Sequence, residues 1–345
     1  MPPARPNPSS SPGFQAGSEF YESVGKVTVG VPVRNGGDFL WAALESLRNQ
    51  TYEHFEVIIQ DNASEDATSE IAREFAALDH RFSYVRLTQD VGSVANFNRL
   101  LDNATGEFFM WAAHDDLRDP EYLTETVREL RKVPSALGCA TAGKIIDENG
   151  KPLGQITPPS RLKSSKPGKR VREALLTNYG GFGVYCLFRR SRLRPSLRLA
   201  PDVWAPDVAF SFALGLAGHF CVIDRPLFVY RKLDDATKVA RSERDAALHG
   251  KANVTKLLKL LVRQTNDAEL SPTLSIAVWL ELANFIRHWR KALRGESLFR
   301  LQQAWRSRDY WSFWMDGLTF AGLTVFDLAM LPVKSFMVPR ATRHH

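Results

Sequence analysis

The chain has 345 residues, of which 44% are hydrophobic, enough to build a large core. Lys and Arg number 45 against 38 Asp and Glu, and the net charge of +7 favours phosphorylated ligands, nucleic acid or an anionic membrane surface. The sequence has no zinc-finger spacing, helix-turn-helix signature or aromatic RNA-binding motif, which argues against nucleic acid. The three cysteines (Cys139, Cys186 and Cys221) are widely spaced, so they predict no disulfide framework and favour a reducing compartment.

The sequence predicts neither a signal peptide in its first residues nor a membrane-spanning helix elsewhere. Residues 1–25 are rich in Pro, Ser and Gly and lack an apolar run, a composition that predicts a disordered tail rather than a signal peptide. Elsewhere no uninterrupted stretch reaches the ~18 apolar residues that a spanning helix needs. We therefore expect a cytoplasmic protein.

Apolar strands alternate with helices in the first third of the chain. The pattern predicts strands at 27–33, 55–60, 84–87 and 107–113, and helices at 38–49, 67–78 and 94–103. Strands that are separated by helices of roughly 10 residues form βαβ units and a mostly parallel sheet. The sequence therefore predicts a doubly wound α/β layer.

The pattern becomes less regular after residue 119. It predicts a helix at 120–132 and strands at 140–146, 184–188 and 220–224. The Pro-, Ser- and Lys-rich segment 151–172 predicts a mobile loop over a site. The chain turns helical beyond about residue 240, so we place a boundary near Leu233.

Two adjacent carboxylates, Asp115 and Asp116, follow the apolar strand that ends near Ala113. Buried carboxylates are costly unless a cation meets them. In an open α/β sheet, ligands bind at the carboxyl ends of the strands. The pair therefore predicts a divalent cation that carries a phosphate-bearing substrate, which indicates nucleotide-sugar chemistry.

Other polar residues also fall at this edge. Asp61 ends the second strand, where a carboxylate can accept hydrogen bonds from a base or a ribose. Asp66 either caps the next helix or faces the ligand. Asn96 on the third helix either faces the site or is simply solvated. The loop 34–37 contains two glycines that expose backbone N–H groups, although it lacks the spacing of a P-loop or a dinucleotide fingerprint.

The ordered set of motifs resembles the family 2 glycosyltransferases, which have a GT-A fold. It comprises Val31-Pro32-Val33-Arg34-Asn35, Asp61-Asn62-Ala63-Ser64-Glu65-Asp66, Asn96, Ala104-Thr105-Gly106-Glu107-Phe108 and His114-Asp115-Asp116. The resemblance implies a doubly wound mixed sheet with flanking helices over residues 26–235, divided into a nucleotide-binding half (26–118) and an acceptor half (119–235). A C-terminal helical region (236–345) would follow.

The resemblance also implies a donor, a cofactor and their ligands. The donor would be a nucleoside-diphosphate sugar, UDP- or dTDP-linked, with Mg²⁺ or Mn²⁺ as the cation and with inversion at the anomeric carbon. Pro32, Arg34 and Asn35 would line the nucleotide cleft, joined by Asp61 and Asn96. Asp115 and Asp116 match the Asp-x-Asp region, but Ala113 replaces its leading Asp. Metal ligation would then rest on Asp115, helped by Asp116.

The general base implied by the resemblance is Asp207, at the start of a predicted helix, with Asp202 as a second choice. Asp207 could instead only complement the positive end of its helix. The family often has a His after the segment 226–231. Here Arg231 is followed by Lys232, and either cation could neutralise diphosphate charge.

The predicted C-terminal helices are amphipathic. Segments 275–293 and 310–338 interleave aromatic and aliphatic residues with charged ones. They predict packing on the catalytic domain or on a second copy of the chain, or else peripheral contact with the inner face of the cell membrane near a lipid-linked acceptor. The acceptor would be a hydroxyl of a glycan or a lipid-linked saccharide. The alternatives are a nucleotidyltransferase and a non-catalytic sugar-nucleotide-binding subunit.

Overall fold

The computed structural model describes residues 25–176, 183–193, 197–201, 203, 205–234 and 254–283. Nine strands lie in these ranges: β1 Val27–Val33, β2 Phe55–Asp61, β3 Phe82–Arg86, β4 Phe108–Trp111, β5 Leu117–Arg118, β6 Gly138–Ile146, β7 Pro152–Ile156, β8 Leu187–Arg189 and β9 Phe220–Arg231. They form one mixed sheet in the order β3-β2-β1-β4-β8-β6-β9-β5, and β7 pairs with β6.

Helices flank this sheet. Those described are α1 Gly37–Arg48, α2 Thr68–Leu78, α3 Ser93–Asp102, α4 Tyr122–Lys132, α5 Pro167–Leu176, α6 Pro206–Ala217, α7 Val254–Asn266 and α8 at 272–283. Short 3₁₀ turns occur at Ser160–Lys163, Gly183–Tyr185 and Arg190–Arg192. The predicted α/β class is confirmed, and the described part of the C-terminal region, residues 254–283, is helical.

The first four strands are parallel, as the sequence predicts. All seven residues of β1 are buried, the pattern of a strand covered on both faces. Gly30 lets α3 approach this strand, because a Cβ there would lie 2.9 Å from the Cβ of Leu100. The register pairs Val33 with Asp61, so the loops after β1 and β2 begin at the same edge.

The second half of the sheet contains antiparallel pairs. β8 runs antiparallel to β4, with Phe109 opposite Phe188, and joins the two halves. β6 runs parallel to β9, and the short β5 pairs with β9 in the antiparallel direction. This pairing brings the chain after Asp116 beside the carboxyl end of β9.

The prediction of a mobile loop at 151–172 is wrong. Pro152–Ile156 pairs with β6, a 3₁₀ turn follows, and α5 begins at Pro167. Helix α5 was not predicted because it begins with Pro167, Gly168 and Lys169, a composition that is typical of loops. Packing against α6 stabilises the helix: Val171 is completely buried, and Gly215 of α6 lies close to its backbone.

A second hydrophobic cluster joins the described C-terminal helices to the α/β domain. Leu257, Leu261 and Val278 pack there with Val171 and Phe212. Packing on the α/β domain is therefore the arrangement seen for residues 254–283. Each helix of the described ranges is too short or too polar to cross a bilayer. The predicted tail at 1–24 and the segments 235–253 and 284–345 lie outside the described residues.

Candidate active site

The acidic pair lies just beyond β4, next to the end of β9. Asp116 is 3% exposed, and its Oδ1 accepts a hydrogen bond of 3.0 Å from the backbone N–H of Arg231. Its Oδ2 is buried and accepts no hydrogen bond within the structure. Burial raises the pKa of Asp116, the negative charge of Asp115 raises it further, and Arg118 opposes both effects. The loop therefore holds two like charges, of which one is almost completely desolvated.

This pair fits a cation that is shared with a phosphate ligand. Magnesium-type sites use one or two carboxylates and complete their shell with water and substrate phosphates. The buried Oδ2 of Asp116 and the half-buried carboxylate of Asp115 are oxygen donors of this kind. Within the described ranges, no three His, Cys, Asp or Glu side chains are grouped as an all-protein metal site would require.

His114 lies between the acidic pair and the loop after β1. A Cβ added to Gly36 would stand 2.7 Å from Cδ2 of the His114 ring. Gly36 therefore leaves the space that the imidazole fills. This packing ties the acidic loop to the N-terminus of α1.

Asp207 lies in the first turn of α6, one residue after Pro206. Ala205 before the helix has φ of +53°, a left-handed conformation that turns the chain into it. Burial raises the pKa of Asp207, and the hydrogen bond from the backbone N–H of Val208 only partly opposes this. A half-buried carboxylate with a raised pKa is a better proton acceptor than an ordinary Asp. Asp202, the second choice, lies outside the described residues.

An aromatic cluster sets the position of α6 relative to β4. Trp111, the last residue of β4, is completely buried, and its ring lies 5.6 Å from that of Phe210 on α6. Phe188 on β8 lies 6.2 Å from Trp111 and 6.1 Å from Phe210. Such edge-to-face pairs add about 0.5–1.5 kcal/mol each to the free energy of burial. The cluster therefore fixes the helix of Asp207 against the strand that leads to Asp115.

Tyr185 lies where these two elements meet. The 3₁₀ turn Gly183–Tyr185 packs against both α6 and β4. Burial raises the pKa of Tyr185 well above its usual value, and the negative charges of Asp116, Asp115 and Asp207 raise it further. The acidic pair and Asp207 therefore act on the same phenol, although they come from distant parts of the sequence.

Sequence reasoning did not single out Tyr185, nor Tyr230 on β9. Burial raises the pKa of Tyr230, and the neighbouring Asp116 and Asp115 raise it further. One sequence signal was present for these two residues, which is that the segments containing them, 183–190 and 226–231, resemble segments of the family. Nothing in the local pattern separates these tyrosines from packing residues.

The sheet edge at the carboxyl ends of β1 and β2, where the sequence predicts the nucleotide to bind, is called here the nucleotide edge. Its side chains already have hydrogen-bond partners within the protein. Asp61 is completely buried, and its Oδ1 accepts a hydrogen bond of 2.8 Å from the backbone N–H of Ser64. Its Oδ2 accepts from the Tyr84 hydroxyl at 2.8 Å and from Nη1 of Arg86 at 3.1 Å. The carboxylate is therefore held rigidly at the end of β2.

Arg34 and Asn35 brace the loops after β1 and β2. Nη1 of Arg34 lies 2.6 Å from Oδ2 of Asp90 and donates to the carbonyl of Asn62 at 3.1 Å. Asn35 has φ of +50°, and its backbone N–H donates to Oγ of Ser64 at 2.9 Å. Pro32 is buried within β1, opposite Gln60. All three predicted cleft residues thus lie at this edge.

The backbone N–H groups of the glycine loop are bound by the protein itself. The N–H of Gly36 donates to Oγ1 of Thr68, and that of Gly37 donates to Oδ2 of Asp66, both at 2.9 Å. Oδ1 of Asp66 also accepts from the backbone N–H of Thr68 at the start of α2. Partial burial raises the pKa of Asp66, but these hydrogen bonds outweigh it and lower the pKa overall. Two roles were considered for Asp66, and the structure shows the one at the start of the helix, where its carboxylate accepts the backbone N–H of Thr68.

Asn96 and Arg231 are almost completely buried, and both make hydrogen bonds within the protein. Oδ1 of Asn96 accepts from Nε2 of Gln60 at 2.7 Å, which fastens α3 to β2. Nε of Arg231 donates to the carbonyl of Asp115 at 3.1 Å, and Nη1 donates to the carbonyl of Glu148 at 2.9 Å. The guanidinium lies 4.9 Å from the ring centroid of Phe39. Contact of either residue with a ligand stays a prediction.

An α/β sheet with nucleotide-type loops at one edge and acidic residues from both halves defines a GT-A fold with a candidate transferase site. The family model for glycosyl transferase family 2 matches residues 28–194. The resemblance found in the sequence is therefore confirmed: residues 28–194 match the family 2 glycosyltransferases.

Named relatives agree with this family. EpsH of Bacillus subtilis (strain 168), named as a glycosyltransferase, is 30% identical over 212 residues, 59% of this chain and 60% of EpsH. The glycosyltransferase GlyA of Streptococcus pneumoniae serotype 4 (strain ATCC BAA-334 / TIGR4) is 32% identical over 105 residues, 30% of this chain and 15% of GlyA. The match thus spans less than two thirds of either relative.

Solved structures share the fold. Residues 1–349 of TarS from S. aureus, in complex with UDP, superpose with a TM-score of 0.55 at 17% identity, covering 86% of this chain and 91% of that one. A complex of the same fragment with UDP-GlcNAc gives 0.50 at 18% identity, covering 86% and 92%.

Proposed function

We propose that this protein transfers a sugar from a nucleoside-diphosphate sugar, UDP- or dTDP-linked, to a hydroxyl of a glycan or lipid-linked saccharide, with inversion at the anomeric carbon. The supporting observation is that α6, which carries Asp207, packs through Phe210 against Trp111 of β4, the strand that leads to the acidic pair Asp115–Asp116. An inverting transfer needs charge control at the leaving diphosphate and a base at the acceptor. The two acidic groups supply these functions from different halves of the domain.

Asp207 is the proposed base. In an inverting displacement, the acceptor oxygen attacks the face of the sugar opposite the leaving phosphate and loses its proton as it does so. Asp207 accepts that proton, and its raised pKa favours the transfer. The aromatic cluster around Trp111 holds α6 in place, so the base keeps its position while substrates bind.

Asp115, with Asp116, is the proposed ligand of Mg²⁺ or Mn²⁺. When bound, the cation would supply charge neutralisation to the departing diphosphate. Pro32, Arg34, Asn35, Asp61 and Asn96 shape the nucleotide cleft, and Arg231 or Lys232 adds positive charge at its end. The TarS complexes with UDP and UDP-GlcNAc support a UDP-linked donor for the same fold.

Peripheral contact with a membrane is proposed for the C-terminal helices. On α8, Ile276 is 62% exposed and Leu280 is 50% exposed, and Trp279 lies between them in sequence at 37%. Exposed apolar and Trp side chains on one helix support an interfacial surface near a lipid-linked acceptor. Attachment to the inner face of the cell membrane stays a prediction.

The test is a thermal-shift panel of UDP-, dTDP-, GDP- and CMP-sugars with and without Mn²⁺, followed by product analysis. A transferase is stabilised by one nucleotide class and, once an acceptor is supplied, releases the nucleoside diphosphate. A nucleotidyltransferase would instead release pyrophosphate from a nucleoside triphosphate and a sugar phosphate. A non-catalytic subunit would bind the donor and leave it intact with every acceptor.

A further inference from the structure

The side chain of Arg231 joins three segments at the candidate active site. This residue ends β9 and is 8% exposed. Its Nε donates to the carbonyl of Asp115 at 3.1 Å, and its Nη1 donates to the carbonyls of Asp147 at 3.3 Å and Glu148 at 2.9 Å. Its guanidinium lies 4.9 Å from the ring centroid of Phe39 on α1. One almost completely buried residue therefore connects the acidic loop, the turn after β6 and the first helix.

The turn that Arg231 contacts is itself held by hydrogen bonds. The backbone N–H of Lys151 donates to Oδ1 of Asp147 at 2.8 Å, and the backbone N–H of Asp147 donates to the carbonyl of Lys151 at 2.9 Å. Oε1 of Glu148 accepts a hydrogen bond of 2.8 Å from the backbone N–H of Asp234, just beyond β9. The carbonyls that accept from Arg231 therefore belong to a closed turn, which can serve as a support for the acidic loop.

Both the backbone and the side chain of Arg231 bind the acidic pair. The backbone N–H donates to Oδ1 of Asp116 at 3.0 Å, while Nε donates to the carbonyl of Asp115. Carboxylates that bind a metal ion are oriented by hydrogen bonds from residues that do not touch the ion. Loss of such a partner typically weakens metal binding by about 10- to 100-fold. Arg231 is placed to orient both members of the pair.

These contacts differ from those expected of a residue that only neutralises a diphosphate. Three N–H groups of Arg231 are donated to backbone carbonyls of the protein. Lys232, the other residue considered for charge neutralisation, is exposed. The guanidinium is a planar fork with several donors, and the single ammonium group of a Lys cannot reproduce its shape. The arrangement around position 231 therefore uses the shape of Arg as well as its charge.

From these contacts we infer that Arg231 is a positioning residue, which holds the acidic loop against the turn 147–150 and thereby sets Asp115 and Asp116 for the cation. Neutralisation of the diphosphate is left to Lys232. This inference rests on the proposed function and divides a role that was open to two neighbouring residues. It predicts that the response of the protein to a divalent cation depends on the shape of residue 231.

The test separates charge from shape at this position. Wild type, Arg231→Lys and Arg231→Gln are titrated with UDP with and without Mn²⁺, or with dTDP if that class stabilises the wild type. Lys keeps the charge and Gln keeps a planar donor group, but neither has enough donors in the right directions for all three carbonyls. In both variants, the Mn²⁺ concentration that gives half of the full effect on UDP binding should rise about 10- to 100-fold. UDP affinity without Mn²⁺ should stay within about twofold of wild type.

Arg225→Lys is the matched control, because it makes the same change on the same strand. Arg225 is exposed, and its guanidinium pairs with Glu121 and Glu125 instead of with the acidic loop. It should keep the wild-type response to Mn²⁺. Melting temperatures without ligand check that every variant is folded.

If neither variant at position 231 folds, amide hydrogen exchange on the wild type takes their place. Mn²⁺ with UDP should slow exchange in the turn 147–150 as well as in the acidic loop 114–118, since Arg231 connects the two. Slower exchange in the acidic loop alone would overturn the inference.

The inference is also overturned if Arg231→Lys responds to Mn²⁺ as the wild type does, because positive charge alone would then be sufficient. A loss of UDP affinity by the same factor with and without Mn²⁺ overturns it as well, since a direct diphosphate ligand gives that result. Failure of the proposed function looks different. The wild type would then bind the donor with Mn²⁺ and never transfer the sugar, or it would bind no nucleotide, in which case the inference fails with it.

Discussion

The two halves of the catalytic domain hold their acidic residues in opposite ways. At the nucleotide edge, the buried Asp61 accepts hydrogen bonds from Ser64, Tyr84 and Arg86. For Asp207 on α6, burial is the largest influence, and it raises the pKa of this carboxylate because backbone hydrogen bonds only partly offset it. A fully partnered carboxylate can shape a binding surface, whereas an under-stabilised one can take up a proton. The contrast agrees with the proposed roles, which are recognition for Asp61 and proton transfer for Asp207.

The packing behind each residue explains this difference. Parallel strands end together, so the loops after β1 and β2 can satisfy each other's polar groups, as Gly37 and Asp66 do. Asp207 instead starts a helix that is fixed by apolar contacts such as Phe210 with Trp111. Aromatic packing positions a side chain without supplying hydrogen-bond donors to it. In the proposed reaction, the Asp207 carboxylate can therefore accept the proton of the acceptor.

The largest expected effect belongs to Asp207→Asn. The amide has nearly the same shape but cannot accept the acceptor proton, so kcat for transfer should fall by roughly 10²- to 10⁴-fold. Donor affinity should stay within about twofold of wild type, because the change lies in the acceptor half. Initial rates of nucleoside-diphosphate release, with donor affinity from titration, measure both quantities.

Glu70→Gln is the matched control for this change. Glu70 is also an acidic residue in the first turn of a helix, α2, but it is exposed. It should retain wild-type kcat, since loss of a favourable helix-dipole contact affects only stability, by about 0.3–1 kcal/mol. Wild-type turnover in Asp207→Asn would leave helix stabilisation as the only role of Asp207.

Asp115→Ala should remove the part of donor binding that depends on the cation. Stabilisation by the donor in Mn²⁺ should drop to the level seen without Mn²⁺, because ligand stabilisation follows RT ln(1 + [L]/Kd). Asp119→Asn, a nearby change at the start of α4, should keep the full Mn²⁺ effect. A Mn²⁺-dependent shift that survives in Asp115→Ala would assign the cation to other residues.

The pH dependence of transfer sharpens the contrast between the two carboxylates. Asp207 acts only when deprotonated, and its pKa is raised by burial, so activity should fall with decreasing pH at a higher pH than for an ordinary Asp. Below that pKa, the rate should drop about tenfold for each pH unit. Rates from pH 4 to 8 on wild type and on the residual activity of Asp207→Asn provide the check. An acidic limb that persists in the variant would belong to another group.

Periodicity was enough to predict the parallel half of the fold. β1 has the predicted bounds, and the helices after it begin and end within about two residues of those expected. The segment 151–172 was not predictable in the same way, because Pro152 and Pro167 suggest a loop while the strand and helix there are stabilised by β6 and α6. Local composition carries no information about partners that arrive from distant parts of the chain.

The candidate site residues also differ in whether their positions follow from local sequence or from contacts between distant segments. The positions of Asp61 and Asp115 could be predicted, because Asp61 ends one parallel strand and Asp115 follows another, and parallel strands end at one edge. Their roles stay predictions. Asp207 required the family resemblance, since its distance from Asp115 depends on the ring contacts among Trp111, Phe188 and Phe210. Tyr185 could not be singled out from the sequence, because the carboxylates that raise its pKa come from distant segments that only the folded chain brings together.

The smallest predicted effect concerns stability and compares an ion pair whose carboxylate is buried with a pair whose carboxylate is exposed. The Asp61 carboxylate is completely buried and accepts hydrogen bonds from Arg86 and Tyr84. Asp61→Asn removes its negative charge, so the free energy of unfolding should fall by about 1–3 kcal/mol. Asp102→Asn breaks the pair with Arg198, in which the Asp102 side chain is 55% exposed, and should cost less than about 1 kcal/mol. Urea unfolding at pH 7, with equal m-values, measures both. Equal losses would mean that solvent reaches the nucleotide edge, and Asp61 would then be free to exchange its internal partners for a base or a ribose.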